Sequence, residues 1–341
     1  MNNMDFILEQ TKELLSIDSP TGFTKRAAEY VMDVYRQMGY SPVLTEKGGI
    51  FIDLGGRDEE NAILLTAHMD TLGAMVHTLK PDGRLKLTPL GGLTPNNTEG
   101  ENCRIYTRTG KIYDGTFQLI NASLHVNDDY NKKSRTFDTM EVVVDEDVHD
   151  KAGLEALGIM AGDIVCFDPR TRITESGYIK SRFLDDKLSV GILMGYARHL
   201  QEEDIIPDRR IYQHIAVFEE VGHGNSHLPS RVSEVLSVDM GCVGEGLNCT
   251  ERQVSICAKD SGGPYHYDIV SALIAAAQSH HIDFAVDIYP DYRSDVDACL
   301  TAGYDIRHGL IGAGVYASHG YERSHIDGVR NTFELLKAYL G

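Results

Sequence analysis

The run NAILLTAH, residues 61–68, packs its apolar residues side by side instead of on alternate positions, so it has no face to offer water. A short continuous apolar run of this kind is a buried strand. It does not fade into a polar loop. It stops at His68-Met69-Asp70, followed by Thr71-Leu72-Gly73. A strand that runs into His-x-Asp is either a structural edge or the start of a metal site.

The surrounding chain gives that strand its context. Apolar residues at helical spacing predict an amphipathic helix at about 3–16 and a second at about 24–38, with Thr24 as its N-cap and DSPTGF as the turn between them. A hairpin-like pair follows in SPVLTEKGGIFIDLGG, broken at Gly48-Gly49. From about 76 to 174 the texture changes to short strands such as GRLKLTPL, KIYDGTFQLI and EVVVDE between turn residues, with one brief helical signal in KAGLEALGI. The alternation of helix and strand then resumes. It gives helices at about 186–202, 267–281, 295–302 and from 327, and strands in IYQHIAVFEE, SEVLSVDMG, DFAVDIY and DIRHGLI. The chain therefore reads as an α/β domain, residues 1–75 with 175–341, interrupted by a small β-rich domain at 76–174.

A chain of 341 residues with 42% apolar content can bury a large core and carry a second domain. Acidic residues outnumber basic ones 51 to 32, and a net charge of -19 repels phosphate backbones and anionic membranes. Nucleic acid and membrane are thus excluded as expected partners. No apolar run approaches the ~20 residues of a membrane helix, and the start lacks a basic segment followed by an apolar one. The six cysteines, Cys103, Cys166, Cys242, Cys249, Cys257 and Cys299, include no C-x-x-C pair and read as reduced thiols. The expectation is a soluble, cytoplasmic protein.

In open α/β sheets ligands gather beyond the carboxyl ends of the strands, so polar residues that close apolar runs are the informative ones. His68 and Asp70 close ILLTAHMD, Glu219 and Glu220 close HIAVFEE, and Asp239 closes VLSVD. Asp185 and Asp186 open the helix in FLDDKLSVG, while His319 and His325 precede the last helix in SHGYERSHID. Taken singly each has an ordinary explanation, as a satisfied histidine, a helix cap or a solvated strand end. Gathered together they would repel or stay unpaired unless a cation collected them. Imidazoles mixed with carboxylates suit zinc, cobalt or manganese better than the all-oxygen shells of calcium or magnesium.

The series H-x-D, L-D-D-[RK], E-E-x-G, V-D and a late histidine, in that order over nearly the whole chain, resembles the dimetal glutamyl aminopeptidases and tetrahedral (TET) aminopeptidases, cytosolic metallopeptidases sometimes misnamed endoglucanases. The resemblance implies a mixed-sheet phosphorylase/hydrolase-like metallopeptidase domain with an inserted β-rich domain, PDZ-like or barrel, used for dimerisation. It implies two divalent ions per subunit, zinc first, with cobalt or manganese as the other candidates. Carried over by position, His68, Asp185 and Asp239 hold the first ion, and Glu220 and His325 hold the second with Asp185 shared. His325 is preferred because YERSHID matches the late-histidine region, with His319 kept open as the other choice. Asp70 orients His68, and Asp186 is joined to Asp185 by a cis peptide. Glu219 is the general base, taking a proton from a metal-bridging water and passing it to the leaving amine.

Three departures alter the rim without removing a ligand: Thr71 where relatives often carry Glu, Lys187 where Arg is common, and GHGNSH in place of a G-x-R-G-A turn. A glutamyl preference is therefore not assumed. Asp295, in YRSDVDA, resembles an acidic position near the family's active site, and Ser294 and Asp295 also read as caps of the following helix. The leading expectation is an aminopeptidase that trims short peptides and self-associates as a dimer or a tetrahedral dodecamer. Its nearest rival is a deacylase or amidase working on a small acylated amino acid or dipeptide at the same centre. For the insert, a free-standing PDZ-like peptide-binding module is the alternative. A non-catalytic scaffold would be expected to have lost a ligand, and a glycosidase has no use for histidine-carboxylate sets.

Overall fold

The structure is a computed structural model describing all 341 residues, which separate into two compact units. Met1–Asp70 with Arg170–Gly341 forms one, and Thr71–Pro169 forms the other. The borders fall at 71 and 170, against 76 and 175 expected from the change of texture.

The first unit opens with helices α1 (Asn3–Leu15) and α2 (Lys25–Gln37) and strands β1 (Val43–Leu44), β2 (Ile50–Gly55) and β3 (Asp58–His68). Thr24 stands at the α2 N-terminus as expected, but without a side-chain capping bond. The β1–β2 hairpin turns through Gly48 at φ +98°, a backbone that side chains with a Cβ avoid, while a Cβ on Gly49 would come within 2.7 Å of the His214 ring. In the second unit β4 (Gly73–Leu79), β5 (Arg84–Leu90), β6 (Glu101–Tyr106), β7 (Ile112–Leu119), β8 (Met140–Val144) and β9 (Ile164–Phe167) close on themselves in the order β4-β5-β8-β7-β6-β9. Between its last two strands lies α3 (Lys151–Leu157), capped by the Asp150 carboxylate on Gly153 N–H and ended by Gly158 at φ +83°. Of the two architectures expected for the insert, it is the barrel. Alternate residues Leu85, Leu87, Ile105, Phe117, Val142, Val165 and Phe167 fill its interior.

The chain then returns to the first unit through β10 (Arg172–Ile173), β11 (Tyr178–Ser181), α4 (Leu184–Glu202), β12 (Arg209–Ala216), β13 (Val232–Val238), β14 (Gly241–Val243), β15 (Val254–Lys259), α5 (Tyr267–Ser279), β16 (Phe284–Ile288), α6 (Asp295–Thr301), β17 (Arg307–Tyr316), β18 (Glu322–His325) and α7 (Ile326–Leu340). One twelve-stranded mixed sheet results, with the path β1-β2-β12-β3-β13-β17-β18-β11-β10. Its centre, β12-β3-β13-β17, is parallel, and β2, β15 and β18 join antiparallel. Burial explains why β3 reads as a continuous run: Ala62 through His68 are all nearly inaccessible.

Helix α4 is buried over almost its whole first three turns, which is why it lacks a polar face. It lies so close to α1 that a Cβ on Gly191 would strike the Thr11 hydroxyl at 2.1 Å and one on Gly195 would strike Ile7 at 2.3 Å. Lys187, itself buried, donates from Nζ to the Leu14 carbonyl (3.0 Å) and the Ile17 carbonyl (2.7 Å), where the α1 carbonyls run out of helical partners. The variable position of the L-D-D-[RK] motif thus fastens α4 to α1. No helix is long and apolar enough to cross a membrane.

Candidate active site

Three adjacent parallel strands bring their carboxyl ends to the same edge of the sheet. Ala216 at the end of β12 pairs with His68 at the end of β3, and Asp239 follows the last residue of β13 on the other side of β3. Glu219 and Glu220 sit in a short 3₁₀ turn just past β12, entered through Phe218 at φ +66° and left through Gly222 at φ +78°. Asp185 and Asp186 meet this edge from the start of α4, joined by a cis peptide, and regular helical geometry begins only beyond them.

The imidazole of His68 is the pivot. Its Nδ1 lies 2.9 Å from the Asp70 carbonyl, and donation there leaves the Nε2 lone pair aimed at Asp185 Oδ1 (3.2 Å) and Glu219 Oε2 (3.5 Å). Asp70 is sealed in turn. Its Oδ2 accepts from the Thr21 hydroxyl at 2.7 Å, its Oδ1 accepts from Glu219 N–H at 3.2 Å, and Oδ1 stands 3.6 Å from His68 Nδ1. Asp186 Oδ2 accepts from His68 N–H at 3.3 Å. Donor atoms of His68, Asp185 and Glu220 lie within 4.8 Å of one another, and so do those of His68, Asp186 and Asp239.

Crowding so many carboxylates in a buried place has an electrostatic cost. Burial, with Asp185 as the foremost charged neighbour, pushes Asp239 up to about 7 and Glu220 well above the carboxylate range. Burial also raises Glu219 strongly, against His68 and reinforced by Asp239 and Asp295, and it raises Asp186, reinforced by Asp239. For His68 burial opposes the charge, but Glu219 and Asp185 outweigh it and hold the ring well above its ordinary value. Glu220 Oε1, Asp186 Oδ1 and Asp295 Oδ1 are buried with no hydrogen-bond partner. Buried polar atoms are nearly always satisfied, so the bare Glu220 oxygen, beside the His68 and Asp185 donors, fits a divalent cation.

Of the two late histidines, the structure brings His319 and not His325 to the other expected ligands. Along β18 residues alternate sides: Glu322 turns toward Asp185, and His325, three residues on, faces the other way. The His325 Nε2 is 2.8 Å from the Ser176 carbonyl, its Nδ1 accepts from Asp327 N–H at 3.0 Å, and its ring packs edge-on to Tyr178. His325 therefore caps α7 and does not reach the carboxylates. His319 does, with Nε2 3.6 Å from Asp185 Oδ2 and 3.7 Å from Glu220 Oε2. A parity count along ERSH was the sequence signal for this, since the antiparallel pairing to β11 sets which residues share a face.

Asp185, Glu219, Glu220, Asp239 and His319 line one open cleft of about 750 Å³, with Asp291, Tyr292, Asp295 and Asp297 along its other wall. Asp295 is buried, accepts from the Thr66 hydroxyl at 3.1 Å and is pushed by burial up to about 6, with Asp70 adding to the rise against His68. The α6 N-cap is Ser294, without a side-chain capping bond. A Cβ at Gly224 would overlap Asp295 Oδ1 at 1.7 Å, so this glycine in GHGNSH makes room for the carboxylate. Lys47, unnoticed in the sequence, grips the same loop by donating to the carbonyls of His223 and Gly224 (2.7 Å) and to the Ser226 hydroxyl (2.9 Å). The Thr71 hydroxyl, by contrast, donates to the adjoining Leu72 carbonyl.

A sheet whose strand ends converge on an imidazole and carboxylate cleft, in a chain that also carries a barrel insert, defines a metallopeptidase-type hydrolase. The family model described as M42 glutamyl aminopeptidase matches residues 48–335. A putative aminopeptidase, YhfE of Bacillus subtilis (strain 168), is 46% identical over 341 residues, covering 100% of this chain and 99% of its own. Among solved structures, the TET aminopeptidase of the marine sediment archaeon Thaumarchaeota archaeon SCGC AB-539-E09 superposes with a TM-score of 0.89 at 18% identity over 99% of this chain and 97% of that one. The Pyrococcus horikoshii TET1 peptidase, described as able to assemble into a tetrahedron or a large octahedral shell, gives 0.85 at 20% identity, covering 97% of this chain and 98% of its own. The chain belongs to the M42 aminopeptidase family and is a peptidase.

Proposed function

We propose that this chain is a two-metal aminopeptidase that removes residues from the N-termini of short peptides. The observation that carries the reading is the gathering of His68, Asp185, Glu220, Asp239 and His319 around one cleft, with the Glu219 carboxylate among them. Asp185 would be shared, since its two oxygens face different histidines, His68 at 3.2 Å and His319 at 3.6 Å. His68 and Asp239 would complete one ion's protein ligands, and Glu220 and His319 the other's. Zinc suits this donor set, as do cobalt and manganese. When bound, such ions supply Lewis acidity that acidifies water and polarises the scissile carbonyl.

The chain's own residues do the rest. Glu219 accepts the proton of the attacking water on a carboxylate oxygen and donates it to the amide nitrogen as the C–N bond breaks, so an acid and an amine leave. Asp70 keeps that carboxylate in place by accepting the Glu219 backbone N–H, and keeps the His68 Nε2 lone pair facing inward through its own carbonyl. Met240 N–H donates to Asp239 Oδ1 at 2.7 Å, steadying the third strand end.

We further infer that the barrel serves self-association, as a dimer or a larger closed assembly. Ile112, Leu124, Val126 and Met160 on that unit are exposed apolar side chains, which supports a contact surface. None of the six cysteines forms a disulfide and five are buried, which supports a reducing cytoplasm. A panel of aminoacyl anilides and N-acylated peptides, assayed with zinc, cobalt and manganese in turn, tests the reaction. Hydrolysis of free-amine substrates is expected, and activity confined to blocked N-termini would instead make the chain a deacylase.

A further inference from the structure

Glu322 is a carboxylate with 2% exposure and no ion pair. A bare buried carboxylate is costly, so its hydrogen bonds are what keep it there. They are unusual in what they join. Oε2 accepts from the backbone N–H of Asp185 at 3.1 Å, and Oε1 accepts from the backbone N–H of His319 at 3.0 Å. One side chain, 137 residues from Asp185 in sequence, therefore ties the start of α4 to the turn that carries His319.

The turn needs that tie. Ala317 (φ +60°) and His319 (φ +61°) both take the left-handed conformation, which disfavours residues with a Cβ. Only Gly320 N–H to the Ala317 carbonyl (2.9 Å) closes the turn from within by a backbone bond. Without an outside acceptor for its own N–H, His319 would be free to relax toward ordinary backbone angles and carry its ring from the cleft.

We propose that Glu322 is a positioning residue of the reaction, fixing the spacing of the Asp185 carboxylate and the His319 imidazole by accepting both of their backbone amides. The proposal rests on the two-metal reading, because Glu322 holds the backbones of the shared Asp185 and of His319, which faces one of the two ions. Two carboxylate oxygens can serve two donors facing them from different chain segments. A carboxamide of the same size has one acceptor and turns N–H groups toward the other donor.

The test compares the full-length wild type with Glu322→Gln and His319→Ala in titrations with cobalt(II), counting ions bound and following the visible absorption of each site. The wild type is expected to take two ions. Glu322→Gln should bind the ion held by Glu220 and His319 about 10–100-fold more weakly, and the ion held by His68 and Asp239, which shares Asp185, should weaken by a smaller factor. A loss of thermal stability with both affinities intact would overturn the proposal, since that is what a merely structural residue would give. Hydrogen exchange at the His319 amide separates the two readings. If the wild type binds a single ion, the two-metal reading fails, and Glu322 is then judged by whether that amide exchanges about tenfold faster in the variant. An unchanged rate overturns the proposal. Should Glu322→Gln not fold, Glu322→Asp, which draws the oxygens back by one methylene, is expected to show the same losses.

Discussion

The ends of β3, β12 and β13 and the turn at 317–321 contribute to one cleft, but they are held there by different means. His68 ends β3, and Glu219, Glu220 and Asp239 stand just beyond β12 and β13, strands whose ladders fix their height and direction, with Ala216 paired to His68 and the β13 residues in register with β3. His319 stands in a turn beyond β17, and its backbone N–H is held by the Glu322 carboxylate three residues on. A site residue on a ladder inherits its position from dozens of packed neighbours. One on a turn depends on a few polar contacts, and those contacts are where substitutions should act most selectively.

The largest expected effect at the turn comes from removing the ring itself. His319→Ala should lower kcat/KM at least ~100-fold by taking away a metal-facing donor, whereas His325→Ala should leave it within about threefold. Steady-state rates for the pair on one substrate check this, and the reverse ranking would return the last ligand to His325. An intermediate effect is expected within the ladder region. His214, on β12, is stacked on Phe51 at 4.2 Å and bonded to Asn225, and burial pushes it down to about 3. Its folded form resists a proton that the unfolded chain accepts near 6.5, so stability is level above that pH and falls by about 1.4 kcal/mol per unit toward about 3. His214→Asn should flatten that slope in denaturant titrations between pH 6.5 and pH 4, whatever its constant cost. An unaltered slope would mean that the imidazole is not sealed in. The smallest effect is the loss of the α7 cap in His325→Ala, worth about 1 kcal/mol in the same titrations.

Much of this contrast was legible in the residues. Continuous apolar runs marked β3, β12 and β13, and the polar residues ending them are those the structure brings together. The shift of texture marked the insert, because six short strands closing into a barrel leave turn residues at close intervals. Other elements were invisible for physical reasons. Strands β10, β11, β14 and β18 have two to four residues each, too few for a period, and β15, VSICAK, is buried for four successive residues without a turn signal to frame it. At the site, YERSHID drew attention to His325 by motif likeness, while its actual placement depends on the antiparallel pairing of β18 with β11. Lys47 and the bond from the Asp185 amide to Glu322 passed unseen because their partners are far apart in sequence, and nothing in local spacing records such a pairing.

The central claim is that Glu219 moves the proton and the neighbouring residues hold the metals. Glu219→Gln keeps the size of the side chain but removes its basicity. With metal content and peptide hydrolysis measured on the same preparation, the variant should retain wild-type ion stoichiometry and lose activity by about 10²–10⁴-fold. Full activity in the metal-loaded variant would contradict the account.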